Sequence, residues 1–170
     1  MKILSFWRAA LFHEASIHSI KAYANWKRAL AYFFFVILFQ ALPLTAADLD
    51  TFFPDFFGIL WKVALGMISV YMVAKLFHSH EPLVKYWYAV SAVLCVGAFL
   101  MAVAAYVSLF VFEKMFNNPA ISNLITSILP YYFIVLFAFT AESAMNLEGK
   151  KSAVVGTFAV LVLYTLYFFL

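Results

Sequence analysis

An all-α, polytopic membrane bundle is the fold class this sequence predicts, and three observations predict it. Hydrophobic residues make up 67% of the 170 positions and charged residues only 11%. The apolar residues gather into five long runs, and the basic residues fall almost entirely on alternate links between them. A soluble domain would have too little charge to cover its surface. Period-two alternation, the mark of an outer-membrane strand, is absent, which leaves helices to satisfy every backbone amide within lipid. No linker, repeat or low-complexity segment marks a second unit, so residues 1–170 read as one integral membrane domain.

The chain opens with a cytoplasmic or interfacial segment, 1–28. Within it Ile3, Leu4, Phe6, Trp7 and Leu11 form an apolar stripe, and Lys2, Ser5 and Arg8 lie away from it. This pattern predicts an N-terminal interfacial amphipathic helix in the headgroup layer, too short to span and ended by His13 and Glu14. The charges at Lys2 and Arg8 interrupt any apolar core of signal-peptide length, so no cleavable signal is expected.

Five transmembrane helices follow, over about 29–47, 56–76, 86–112, 121–141 and 152–170. Each is near the ~20 residues needed to cross a ~30 Å hydrocarbon core. Tyr32 to Phe35 open the first, and Phe52, Phe53, Phe56 and Phe57 surround Pro54 and Asp55 at its far exit, as interface anchors do. Pro43 and Pro130 fall near the ends of apolar runs, where a kink costs little. Gly58 and Gly66, and Gly97 with Ala98, Ala102 and Ala105, offer small faces for close helix packing.

Charge sets the expected orientation. Lys2, Arg8, Lys21, Lys27, Arg28, Lys75, Lys85, Lys150 and Lys151 share one side and Lys114 stands on the other, with Lys62 inside the second span near its start. By the positive-inside rule the N-terminus is cytoplasmic and, with five spans, the C-terminus lies outside. Asp48, Asp50 and Asp55 give the first outer link an acidic character. The net charge of +3 then reflects orientation, and no nucleic-acid partner is expected.

Few residues could carry chemistry. His13, His18, His78 and His80 all map to the cytoplasmic edge, away from the mid-membrane position of paired haem ligands. His78 and His80, with Glu81, are the candidate metal ligands, but the two-residue spacing supplies no fixed third ligand, so neither metal nor cofactor is expected. Cys95 stands alone and reads as a small packing residue. No Ser/His or Asp/Asp set falls at mid-depth, and no enzyme activity is expected. Glu142 and Lys62 remain as the polar residues of functional interest. Glu142 follows an uncharged run, and an intramembrane carboxylate suggests ion coupling when it lies within the hydrocarbon. Its nearness to Glu148, Lys150 and Lys151 predicts instead an interfacial residue that pairs with Lys150 or Lys85 or caps a neighbouring helix.

The layout resembles the bacterial branch of the YIP (Ypt-interacting) family of five-span integral membrane proteins. The resemblance rests on the entry from Leu11-Phe12-His13-Glu14 through Asn25-Trp26-Lys27-Arg28-Ala29-Leu30, and on the polar turn Leu76-Phe77-His78-Ser79-His80-Glu81-Pro82-Leu83 with Tyr86 to Ala92 after it. It rests also on the closing segment Tyr131 to Leu170, with its polar break from Glu142 to Lys151 and the helix start at Ser152 to Gly156. It implies a non-enzymatic protein of the bacterial inner membrane. The eukaryotic relatives act in vesicle trafficking with small GTPases, a partner not carried over to a chain without a long cytoplasmic arm.

Two function classes follow. The first is a scaffold or accessory subunit that packs with a membrane partner or with itself, surrounded by membrane lipids. The second is a small transporter or channel component, which requires Gln40, Ser69, Ser91, Ser108, Thr126, Thr140 and Glu142 to converge on a path.

Overall fold

The computed structural model describes residues 3–45, 52–147 and 149–169. Lys2, Asp48, Asp50 and Glu148 lie outside the described residues, as do the side chains of Ile3, Pro43 and Phe52. The described chain is helical, with no strand among its residues. Its elements are α1 (Ile3–Ala10), α2 (Glu14–Lys21), α3 (Trp26–Thr45), α4 (Phe52–Leu76), α5 (Leu83–Val107), α6 (Pro119–Ala144) and α7 (Gly149–Phe168), and α5 continues as a π-helical turn over Ser108–Met115.

Four segments are long and apolar enough to cross a membrane: Phe53–Leu76, Leu83–Met115, Pro119–Ala144 and Gly149–Phe168. The protein is thus a multi-pass membrane protein in its helices. The predicted first span falls on α3, a helix of 20 residues. Among the described residues α3 packs on α5, α5 on α6, α6 on α7, α7 on α4 and α4 back on α3, which closes these helices into a ring. Large apolar side chains such as Phe57, Leu65, Met72, Leu124 and Leu161 remain exposed on its outside, as expected where lipid replaces water.

Small residues allow the close approaches. A methyl group added at Gly97 would run into Leu136 across the α5–α6 contact, and one at Gly66 would meet Leu163 Cδ2 at 2.8 Å across the α4–α7 contact. Gly58 differs from the packing role predicted for it, because nothing lies within 4 Å of the position its Cβ would take. Buried Ala98, Ala102 and Ala105 extend the small face of α5.

The N-terminal segment forms two short helices, α1 ending before His13 and α2 beginning at Glu14. Phe12 takes a φ of 62° and turns the chain between α1 and α2, so the two helices form a hairpin. That hairpin rests on α5 and α6. Tyr132 Oη, twelve residues before the end of α6, donates to the Ala10 carbonyl at 3.0 Å. Trp7 meets Phe99 edge-on with ring centroids 6.5 Å apart, and Phe12 meets Tyr132 and Phe139. Since Phe99 stands about 24 Å along α5 at 1.5 Å per residue, α1 lies beside the middle of the ring helices and not across their ends. The predicted stripe is split accordingly. Phe6, Ala9 and Ala10 are buried against the ring, while Leu4, Trp7 and Leu11 face outward.

Candidate functional site

One end of the ring gathers the links that precede α5 and α7, and there the hairpin meets them. Lys21, the last residue of α2, has a side chain only 7% exposed. Its Nζ donates to Glu81 Oε1 at 3.2 Å, to the Ala144 carbonyl at 3.0 Å and to Asn146 Oδ1 at 2.7 Å. Asn146 Nδ2 in turn donates to the same Glu81 oxygen, and Ser79 Oγ donates to the Met145 carbonyl at 2.7 Å. An ammonium offers three donors, so Lys21 is fully used.

Local backbone geometry presents these groups. α6 ends at Ala144, and the N–H of the capping residue Met145 bonds back to the carbonyls of Ala141 and Glu142. Asn146 then takes a φ of 51°, a left-handed conformation in which asparagine is among the least penalised side chains. His78 does the same at 65° after α4, directing the chain so that Ser79 and Glu81 turn inward. Burial lowers the Lys21 pKa from its usual value; the Glu81 carboxylate opposes that shift and the Lys85 charge adds to it. Glu81 Oε2 is buried with no hydrogen-bond partner among the described residues, so the carboxylate is held through one oxygen.

Of the residues singled out from sequence, Glu81 belongs to this cluster and the others lie outside it. His78 and His80 are exposed, and among the described residues no group of three or more His, Cys, Asp or Glu side chains could hold a metal ion. Lys62 is half-buried on α4. Glu142 turns from α6 to α7, where its Oε1 accepts from Ser152 Oγ and its Oε2 lies 2.7 Å from the place a Gly156 Cβ would occupy. It therefore pairs with neither Lys150 nor Lys85 but with the first turn of the next helix, where the helix dipole favours a negative charge.

The polar residues required for a transport path are dispersed. Ser108 Oγ bonds to Ser122 Oγ at 3.1 Å, Thr140 Oγ1 to the Leu136 carbonyl at 2.7 Å, and Ser91 Oγ is buried without a partner among the described residues. Gln40 and Thr126 line one cavity, at the end of the ring opposite Lys21, and Thr126 and Ser108 both donate to the Ser122 carbonyl. The sequence places Lys21 in the cytoplasmic or interfacial segment 1–28 and gives Asn146 no role beyond the polar break from Glu142 to Lys151. The available signal was the Ile17, Ile20 spacing beside Lys21, which gives α2 a buried face and carries the lysine in with it.

Comparison with known proteins finds no matching family model, no matching curated protein and no matching solved structure.

Proposed function

We propose that this protein is a non-enzymatic scaffold or accessory subunit of the bacterial inner membrane, packing through its N-terminal hairpin with a membrane-protein partner or a second copy of itself. The observation that carries the reading is the outer face of that hairpin. The hairpin's first helix lies beside the middle of the ring helices, yet Arg8 is exposed on it, and the face continues through exposed His13, Glu14 and His18 as α2 runs to the ring end at Lys21. His18 Nε2 and Glu14 Oε1 stand 3.8 Å apart there. Lipid does not readily accommodate such groups, whereas a protein surface can pair them. In this reading α3 is a fifth span, the N-terminus is cytoplasmic and the C-terminus is outside, as the distribution of lysine and arginine supports. The resemblance to the YIP family is compatible with the same role.

The Lys21 cluster serves this role by fixing the hairpin to both neighbouring links, so that the docking face is presented in one orientation. Ion coupling through Glu142 finds less support, because that carboxylate lies in the α6–α7 contact, away from the cavity that holds Gln40 and Thr126.

Purification in mild detergent with light scattering and identification of co-purifying proteins tests the proposal. The wild type is expected to run as a dimer or with a stoichiometric membrane protein, and Arg8→Leu combined with Glu14→Leu is expected to release it. A wild-type monomer without a partner would sink the proposal. So would a proton or sodium flux in proteoliposomes that disappears in a folded Glu142→Gln variant.

A further inference from the structure

At the end of the ring away from Lys21, all of the ring helices contribute to a cavity of about 300 Å³. Its walls are apolar, formed by residues that include Phe39, Ile59, Met101 and Leu129, and its polar side chains are Gln40, Thr126 and Tyr167. Tyr167 Oη donates to Gln40 Oε1. Gln40 Nε2 is closed off from water and has no hydrogen-bond partner among the described residues. Burying an amide N–H₂ without an acceptor is destabilising, so this donor calls for a hydrogen-bond acceptor from outside the described residues.

A second feature points to the same place. Pro130, inside α6, has no N–H to give to the carbonyl four residues earlier, that of Thr126, and both residues line the cavity. The Thr126 hydroxyl is occupied by the Ser122 carbonyl at 3.0 Å. The cavity thus combines an apolar body with an unmatched donor, the usual composition of a small-ligand site, and its volume stands at the lower end of the ~300–1,000 Å³ range for such sites.

Depth identifies the occupant. Tyr167 lies sixteen residues past Lys151 on α7, about 24 Å at 1.5 Å per residue. With the lysines at one boundary of a ~30 Å core, the Gln40–Tyr167 pair falls just inside the other boundary, next to the level of glycerolipid ester carbonyls. We propose that this cavity binds one acyl chain of a membrane phospholipid, with the ester carbonyl accepting from Gln40 Nε2 and the chain running between Ile59, Met101 and Leu129. An uncharged carbonyl supplies the missing acceptor without bringing a charge into the apolar walls.

Photolabelling in vesicles tests this, using the full chain reconstituted with phosphatidylethanolamine that carries a diazirine on one acyl chain. Labelled peptides are expected from the cavity stretches of α3, α5 and α6. Gln40→Leu is expected to reduce that labelling about 3- to 10-fold, the equivalent of one neutral hydrogen bond. Ala105→Phe, which fills the cavity, should abolish it. Should Ala105→Phe fail to fold, competition in the wild type takes its place: unlabelled phospholipid should displace the probe far better than a dialkyl ether analogue without ester carbonyls. Labelling confined to outward positions such as Trp61 and Leu65, equal labelling in Gln40→Leu, equal competition by the ether lipid, or labelling by a diazirine fatty acid alone would each overturn the proposal.

Discussion

The two ends of the ring solve the same problem, polar groups among apolar helices, in different ways. At one end Lys21 and Glu81 form a buried ion pair reinforced by Asn146 and the Ala144 carbonyl. At the other, Gln40, Tyr167 and Thr126 are neutral and surround a cavity. Charge is placed where chain links come together and water is close. Neutral amide and hydroxyl groups are placed deeper, where the desolvation of an ion would cost several kcal/mol. The first end fixes three separated segments to each other, and the second leaves a hydrogen bond open.

The largest test of this contrast removes one partner of the ion pair. Lys21→Met should destabilise the folded protein by about 3 kcal/mol or more, because it leaves the buried Glu81 carboxylate without its cation. Thermal unfolding in detergent reads the loss, and accompanying protease sensitivity before Trp26 would show release of the hairpin. The double variant Lys21→Met with Glu81→Leu should recover part of the loss, since removing both charges removes the uncompensated one. A cost below about 1 kcal/mol for the single variant, the usual range of an exposed pair, would make this end no more cohesive than ordinary surface charge.

Between the ends, packing carries the helices, and two glycines separate its effects. Gly97→Ala should cost about 1–3 kcal/mol as an overpacked contact against Leu136. Gly58→Ala should be neutral or stabilising by up to about 1 kcal/mol, because its site is open and alanine is the better helix former. Equal effects of the two would remove the distinction between ring contact and open surface.

Much of this architecture was legible in the sequence. Hydropathy located the long helices because lipid demands continuous apolar surface, and the glycine and alanine positions on α5 announced its close contacts. Gly58 shows where composition stops being informative, since a small residue reads alike whether or not a neighbour approaches it. The Lys21 cluster was illegible for a different reason. Its members lie 60 and 125 residues apart, each in a link whose polarity matches solvated loops, and only the folded ring brings them together. The hairpin was hidden because His13 and Glu14 read as the end of a helix, whereas Phe12 turns the chain there and α2 begins at Glu14.

Glu142 offers a test of smaller size. Its bond to Ser152 survives in Glu142→Gln as a neutral contact, so the expected loss is about 1 kcal/mol or less, consistent with a partly exposed site near a helix start. Thermal unfolding of this variant beside Ser152→Ala would separate charge from hydrogen bonding. A loss in Ser152→Ala with little change in Glu142→Gln assigns the effect to the hydrogen bond. A larger loss in Glu142→Gln assigns it to the negative charge at the first turn of α7.

The smallest expected effect is a pH dependence that distinguishes the charged end from the neutral one. Burial lowers the Lys21 pKa below its usual 10.5, more than the Glu81 carboxylate raises it. Between the lowered value and 10.5 the folded chain has released the proton while the unfolded chain still holds it. The unfolded state therefore binds more protons in that window, and stability must rise with pH across it. Below the window both states are protonated and this contribution is flat. Thermal unfolding of the wild type and Lys21→Met, followed through the alkaline range up to pH 10.5, isolates the contribution because other titrating groups are common to both. The wild type is expected to gain stability relative to the variant as pH approaches that value. A relative loss would mean that attraction to Glu81 outweighs burial, and the ion pair would then be a source of stability in its own right rather than a buried charge that its neighbours make tolerable.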